Sequence, residues 1–165
     1  MLVAGTGWHF LGHPRVQKAP DIQVTTVEGK HIRLSSLKGR PVLVNFWSTT
    51  CVACIREMPQ LTRLYREFAP RGLEVIGIAM AYDPPNRVLD LRRARNIAYP
   101  LALDIGSDAA RAFGDVRLTP TTFLIAPDGH ISLHTSGELD MQKVRRLIAG
   151  MLEPSAATAN MSARN

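Results

Sequence analysis

Two cysteines, Cys51 and Cys54, stand three positions apart at a change of pattern. The β-prone apolar run Pro41 to Trp47 gives way through Ser48-Thr49-Thr50 to an amphipathic helical pattern. The first N–H groups of a helix have no partner inside it, and their partial positive charge favours an anion. A thiolate is such an anion, so the position predicts a lowered pKa for Cys51 and makes it the nucleophile. Cys54 faces the same side one turn deeper, within reach of the first sulfur. One cysteine attacks a disulfide and the other resolves the mixed intermediate. The redox centre is then the Cys51–Cys54 disulfide itself, with no separate cofactor. Glu57 extends the same stripe by a further turn. A desolvated carboxylate there has a raised pKa and can relay a proton to or from the resolving thiol. The bland alternatives are inert buried cysteines and a solvated glutamate. The strand-to-helix junction argues against the first.

These side chains need a scaffold, and the hydrophobic pattern supplies one. Residues 22–27 and 31–34 alternate around Glu28-Gly29-Lys30 and predict a hairpin. The runs 41–47 and 73–80 are almost continuously apolar, as strands buried on both faces should be. Between them, Ile55, Met58, Leu61, Leu64, Tyr65 and Phe68 form a helical stripe, and Pro59 inside it predicts a kink. Asp83-Pro84-Pro85 opens a helix running to about Asn96, with Val88, Leu91 and Ala94 inward. A short extended segment (100–104) and a short helix (107–113) follow. Leu118 to Ala126 is a strand led by Thr119-Pro120, paired back by 131–136 across the turn 127–130. The last helix, 139–151, turns Met141, Val144, Ile148 and Met151 inward. The order implies a three-layer α/β/α domain with a mixed sheet over residues 19–153. Residues 1–18 read as a flexible arm and 154–165 as a disordered tail.

Composition narrows the function. The chain has 165 residues and a formal charge of +6. Its basic residues are dispersed except for Arg92-Arg93-Ala94-Arg95 on a predicted helix, and no basic patch interleaved with aromatics argues for nucleic acid. The only two cysteines both lie in the Cys-x-x-Cys, which excludes a structural disulfide framework. A zinc site usually needs four ligands, so the pair alone makes a poor metal site and none is expected. Met1 to Gly12 is too short to span a bilayer and lacks the charged start of a signal peptide. Gly5-Thr6-Gly7 is no dinucleotide fingerprint, and His9 and His13 lie where Gly12 and Pro14 oppose a helix.

FWSTTCVACIREMP at 46–59, taken with LTPTTFLIAPDG at 118–129, resembles the thioredoxin-like TlpA/ResA family of thiol-disulfide oxidoreductases. The resemblance spans about Ala19 to Leu152. Thr50 and Ala53 stand where that family usually carries a tryptophan and a proline, and Asn45 stands where ordinary thioredoxins carry an acid. The resemblance implies a thioredoxin-like sandwich preceded by the hairpin. It implies a cis Pro120 packed beside the disulfide, and a Thr119 whose backbone pairs with an extended substrate while its side chain sits near the Cys51 sulfur. It also implies that Glu57 affects cysteine acidity and that Trp47 packs under the first helical turn and shapes the substrate groove.

Further implications concern partners and place. They are a monomer that reduces a disulfide-containing protein, an upstream thiol donor that is membrane-embedded in some settings, and a periplasmic or extracytoplasmic location, with or without an anchor. Cytochrome c maturation is the kind of process such proteins serve. The motif leaves the direction open, because Cys-x-x-Cys potentials span roughly −270 to −120 mV. Two other readings stay open. A thiol peroxidase shares the fold, and Thr49-Thr50-Cys51 faintly echoes its active-site threonine. A copper chaperone would use both cysteines with a histidine, but His130 and His134 fall on the distant hairpin.

Overall fold

A computed structural model of the protein describes residues 17–153. The hairpin is β1 (Gln23–Thr26) and β2 (His31–Arg33), followed by a 3-10 turn at Leu34–Leu37. Then come β3 (Val42–Trp47), α1 (Val52–Phe68), β4 (Glu74–Ala79), α2 (Pro85–Arg95) and β5 (Leu101–Leu103). The chain continues with α3 (Asp108–Ala112), β6 (Thr121–Ile125), β7 (Ile131–Ser136) and α4 (Met141–Leu152). All seven strands join one sheet in the order β2-β1-β5-β4-β3-β6-β7. The central pairs β3–β4 and β4–β5 are parallel, while β3–β6, β6–β7, β1–β5 and the hairpin are antiparallel. The expected mixed sheet is therefore present.

Strand alternation divides the core between the two faces. Leu43 and Trp47 of β3, with Val75 of β4 and Leu124 of β6, pack against Met58, Leu61, Leu64 and Phe68 of α1, and against Val88 of α2 and Val144 and Ile148 of α4. Val42, Val44 and Phe46 point the other way, to Leu34, Leu37, Ala109, Ala110 and Phe113. Phe46, Phe113 and Phe123 meet there with ring centroids 4.7–6.1 Å apart. Among the described residues the sandwich is thus lopsided, with three helices on one face and only α3 and the 3-10 turn on the other.

Some expectations require correction. Ala94 is exposed because α2 turns only Val88 fully into the core. The arginine cluster occupies the last turn of α2, where cations complement the helix dipole. Residues 17 and 18, assigned to a free arm, are pinned to the sheet edge. Lys18 bridges to His130, and Ile131 N donates to the Gln17 carbonyl at 2.8 Å. The rest of the arm, including His9 and His13, and the tail 154–165 lie outside the described residues.

Gly77, in the middle of β4, is required by packing. A Cβ there would meet Leu101 Cδ2 at 2.7 Å, Tyr99 Cε2 at 3.0 Å and Trp47 Nε1 at 3.2 Å. The leucine methyl, the phenol ring and the indole belong to fully buried side chains and leave little slack. Gly77→Ala should therefore destabilise the protein by about 1–3 kcal/mol, as overpacking a tight core does. A urea midpoint shifted to lower concentration at constant m would establish this, and an unchanged midpoint would refute it.

Candidate active site

The ladder between β3 and β6 assembles the site. Phe46 pairs with Thr121 and Asn45 with Thr122, so the end of β3 lies beside the start of β6. The residues just past those ends, Ser48 to Cys51 and Leu118 to Pro120, are brought together at one pole of the sheet. Sequence separation hides this proximity, and the antiparallel register produces it.

Between β3 and α1 the loop is tightly bonded. Cys51 N donates to the Ser48 carbonyl at 3.1 Å, and Thr50 N donates to Ser48 Oγ at 3.2 Å. Asp83, buried in the loop after β4, accepts from Thr49 N at 2.9 Å and from Thr49 Oγ1 at 2.7 Å. Asp83-Pro84-Pro85 reads in sequence as a helix opening, and α2 does begin at Pro85. Yet α2 has no side-chain cap, because its N-cap is Pro84, and the Asp83 carboxylate is engaged across the loop on Thr49. No local signal discloses that partner.

Cys51 is the N-cap of α1, in extended conformation at φ −84° and ψ 103°. Cys54 N donates to Cys51 Sγ at 3.1 Å, so the orphan helix amide is satisfied by sulfur. The two cysteines form a disulfide with their Cα atoms 5.2 Å apart. Cys51 is half-buried, whereas Cys54 is 2% exposed. An incoming group can reach only the first sulfur. On reduction, the amide that now faces Cys51 Sγ would stabilise its thiolate.

The Thr119-Pro120 bond is cis. Pro120 is buried and Thr119 half-buried. Thr121 Oγ1 donates to the Leu118 carbonyl at 2.8 Å, closing the bend that leads into β6. Trp47 is 0% exposed, packed in the core under α1. Its assignment as a substrate-binding residue is therefore corrected, since it can support the groove from beneath but offers no surface to a substrate. Sequence reasoning missed the apolar residues that do offer surface at this pole. Val52, Tyr82, Ile105 and Leu118 are exposed, and they follow or precede the strand ends that converge there.

Glu57 is 5% exposed on the sheet-facing side of α1. Leu139 N donates to its Oε1 at 2.9 Å, and Asn45 Nδ2 makes a long 3.5 Å contact to Oε2 while donating to Thr122 Oγ1 at 2.9 Å. Burial pushes the Glu57 pKa above its ordinary 4.5, against the lowering effect of the Leu139 amide. Tyr99, buried nearby with an unpaired hydroxyl, is also pushed up, by its burial first and by the Glu57 charge second.

Among the described residues no three His, Cys, Asp or Glu side chains converge on a metal-sized site. His134 of β7 instead stacks on the Phe123 ring with centroids 4.3 Å apart.

Known proteins match this arrangement. The family model of the AhpC/TSA family covers residues 16–134. The chain belongs to that family. Within it, the chain is similar to the thiol-disulfide oxidoreductase ResA of Bacillus thuringiensis subsp. konkukian, 33% identical over 132 residues, covering 80% of this chain and 75% of the relative. ResA of Bacillus anthracis is 36% identical over 122 residues, covering 74% and 69%. A solved thiol:disulfide interchange protein of the thioredoxin family from Chlorobium tepidum matches with a TM-score of 0.76 and 29% identity, over 86% of this chain and 99% of that one. The thioredoxin-like fold and the TlpA/ResA resemblance both hold. This AhpC/TSA family member is a thiol-disulfide oxidoreductase, and Cys51–Cys54 is the dithiol pair suited to the exchange.

Two outcomes test the site. Removing the Asp83 carboxylate leaves the Thr49 amide and hydroxyl without their acceptor, and hydrogen bonds to charged groups contribute about 1.5–3 kcal/mol. Asp83→Ala should lose stability on that scale, with Asp83→Asn losing less, both read by denaturant titration. For Glu57 the native state binds the proton more tightly than the unfolded chain. Its contribution is therefore fully present below the unfolded value of 4.5 and is lost as pH rises through the raised native pKa. Wild-type stability should fall across that window relative to Glu57→Gln. Parallel stability curves for the two proteins would contradict the assignment.

Proposed function

We propose that the protein is a disulfide reductase acting on extended protein segments, with Cys51 as nucleophile, Cys54 as resolver and Glu57 as proton carrier. The observation that carries this reading is the Cys54 N–H held on Cys51 Sγ at a half-exposed helix N-cap, with Cys54 itself enclosed. The Cys51 thiolate attacks one sulfur of the substrate disulfide, and the other sulfur leaves as a thiolate. Cys54 then passes its proton to the Glu57 carboxylate and attacks Cys51 Sγ, expelling the second substrate thiolate. The substrate gains two electrons and the Cys51–Cys54 disulfide forms. An upstream dithiol protein returns the pair to its reduced state.

The cis-Pro120 loop and the exposed Val52, Tyr82, Ile105 and Leu118 support a protein substrate over a small molecule, because they offer a strand edge flanked by apolar surface. The reducing direction and a working place outside the cytoplasm agree with the TlpA/ResA resemblance. Among the described residues no helix is long and apolar enough to cross a membrane.

Cys54→Ser should accumulate mixed disulfides through Cys51, and Cys51→Ser should accumulate few. Equal trapping by both variants would remove the ordered roles. In the reduced wild type, mild alkylation near neutral pH should label Cys51 first. In Glu57→Gln the Cys51 alkylation profile should move to lower pH, because a nearby negative charge that opposes the thiolate is gone. Superimposed profiles would remove Glu57 from the proton path. Fast peroxide consumption by the reduced protein, without turnover of disulfides, would favour the peroxidase reading instead.

A further inference from the structure

Three consecutive residues between β7 and α4 are each tied to a different part of the site. Gly137 N donates to the Pro120 carbonyl at 2.8 Å. Glu138 pairs with Arg56 on the exposed side of α1. Leu139 N donates to Glu57 Oε1 at 2.9 Å. Gly137 has φ +102°, a conformation that glycine adopts without steric penalty, and it turns the chain out of β7 at the level of Pro120. The first turns of α1 and the cis-Pro loop are therefore linked through one short piece of backbone.

The geometry points to a second role for Glu57, as a positioning residue that fixes the protein-docking edge at Thr119–Pro120 through a strap formed by Gly137–Leu139. The inference rests on the proposed docking of an extended substrate at that edge. Docking by strand addition depends on where the Thr119 backbone groups lie relative to Cys51. The ladder β3–β6 sets that spacing only up to Phe46 and Thr121, and both reacting segments lie beyond its end. Past that point the strap joins helix to loop through hydrogen bonds at both of its ends. The length of the Glu57 side chain suits it as the inner anchor, because its oxygen reaches the Leu139 amide at 2.9 Å. Small disulfides need only the Cys51 sulfur and should be insensitive to the placement of the edge, whereas protein disulfides should be sensitive.

Two conservative variants separate this role from proton transfer. Glu57→Gln keeps an acceptor at the same reach and loses the charge. Glu57→Asp keeps the charge but is one methylene too short for the Leu139 amide. With the protein reduced beforehand by dithiothreitol and then freed of it, single-turnover second-order rate constants would be measured with insulin and with 5,5′-dithiobis(2-nitrobenzoate), and the ratio of the two compared. Glu57→Asp should lower the insulin-to-small-disulfide ratio by up to about tenfold, the scale of one lost hydrogen bond. Glu57→Gln should keep the wild-type ratio while its Cys51 alkylation profile shifts. Amide hydrogen exchange gives an independent readout, with protection of Gly137 lost in Glu57→Asp and retained in Glu57→Gln. An unchanged ratio in Glu57→Asp, an equal fall in both variants, or Gly137 protection that does not distinguish them would overturn the strap. If the wild type reduces neither disulfide, the functional reading fails, and the exchange data still decide the strap.

Discussion

The antiparallel ladder between β3 and β6 is the constraint on which the site depends. Its register, Asn45 with Thr122 and Phe46 with Thr121, is held by backbone hydrogen bonds and by side chains buried on both faces. A slip of one residue would turn Leu43 and Trp47 toward the wrong layer and Asn45 away from Thr122, so the pairing is strongly specified. Given that register, the chain leaving β3 and the chain entering β6 must lie side by side. The Cys-x-x-Cys that follows the first strand then lies at the same pole as the cis-proline bend that precedes the second.

Polar burial adds the next level of organisation. Asn45, Glu57, Asp83 and Thr122 are all buried, and each finds a partner on another element. A buried polar group without a partner is costly, so these contacts specify how loops and helices dock on the sheet. Asp83 joins the loops after β3 and β4 at the cysteine side. Glu57 joins α1 to the start of α4. Around the half-exposed sulfur of Cys51 the backbone is held from several directions, which is what ordered attack at one atom requires.

The electrostatics divide between the two cysteines. A helix amide rests on Cys51 Sγ and favours its thiolate, while the enclosed glutamate below Cys54 carries a raised pKa. The half-exposed cysteine carries the amide, and the glutamate stands one helical turn beyond the enclosed one. Thr50 and Ala53 occupy the positions where the family usually has tryptophan and proline. Thr50 joins the hydrogen-bonded turn through its backbone N–H and its hydroxyl, 3.0 Å from Ser48 Oγ. The loop is therefore closed in part by the small polar side chain itself.

Much of this was legible in the chain itself. The Cys-x-x-Cys at a strand-to-helix junction determined the chemistry, because local spacing alone puts both sulfurs on the first turn of one helix. The doubly apolar runs of β3 and β4 determined a buried parallel pair, and the Thr119-Pro120-Thr121 motif marked the second half of the site. Glu57 was nominated by its helical offset from Cys54. What it touches was decided only by the tertiary structure, since Leu139 lies 82 positions away and helical periodicity says nothing about the partner. The same holds for Asp83, whose sequence context suggested a helix start while its carboxylate crosses to Thr49. Trp47 was read as packing under the first turn of α1, where it does lie, and only the depth of the core decided that it shows no surface to a substrate. Periodicity reports which face of an element is apolar. Only the packed sheet decides which polar groups from distant segments must satisfy one another.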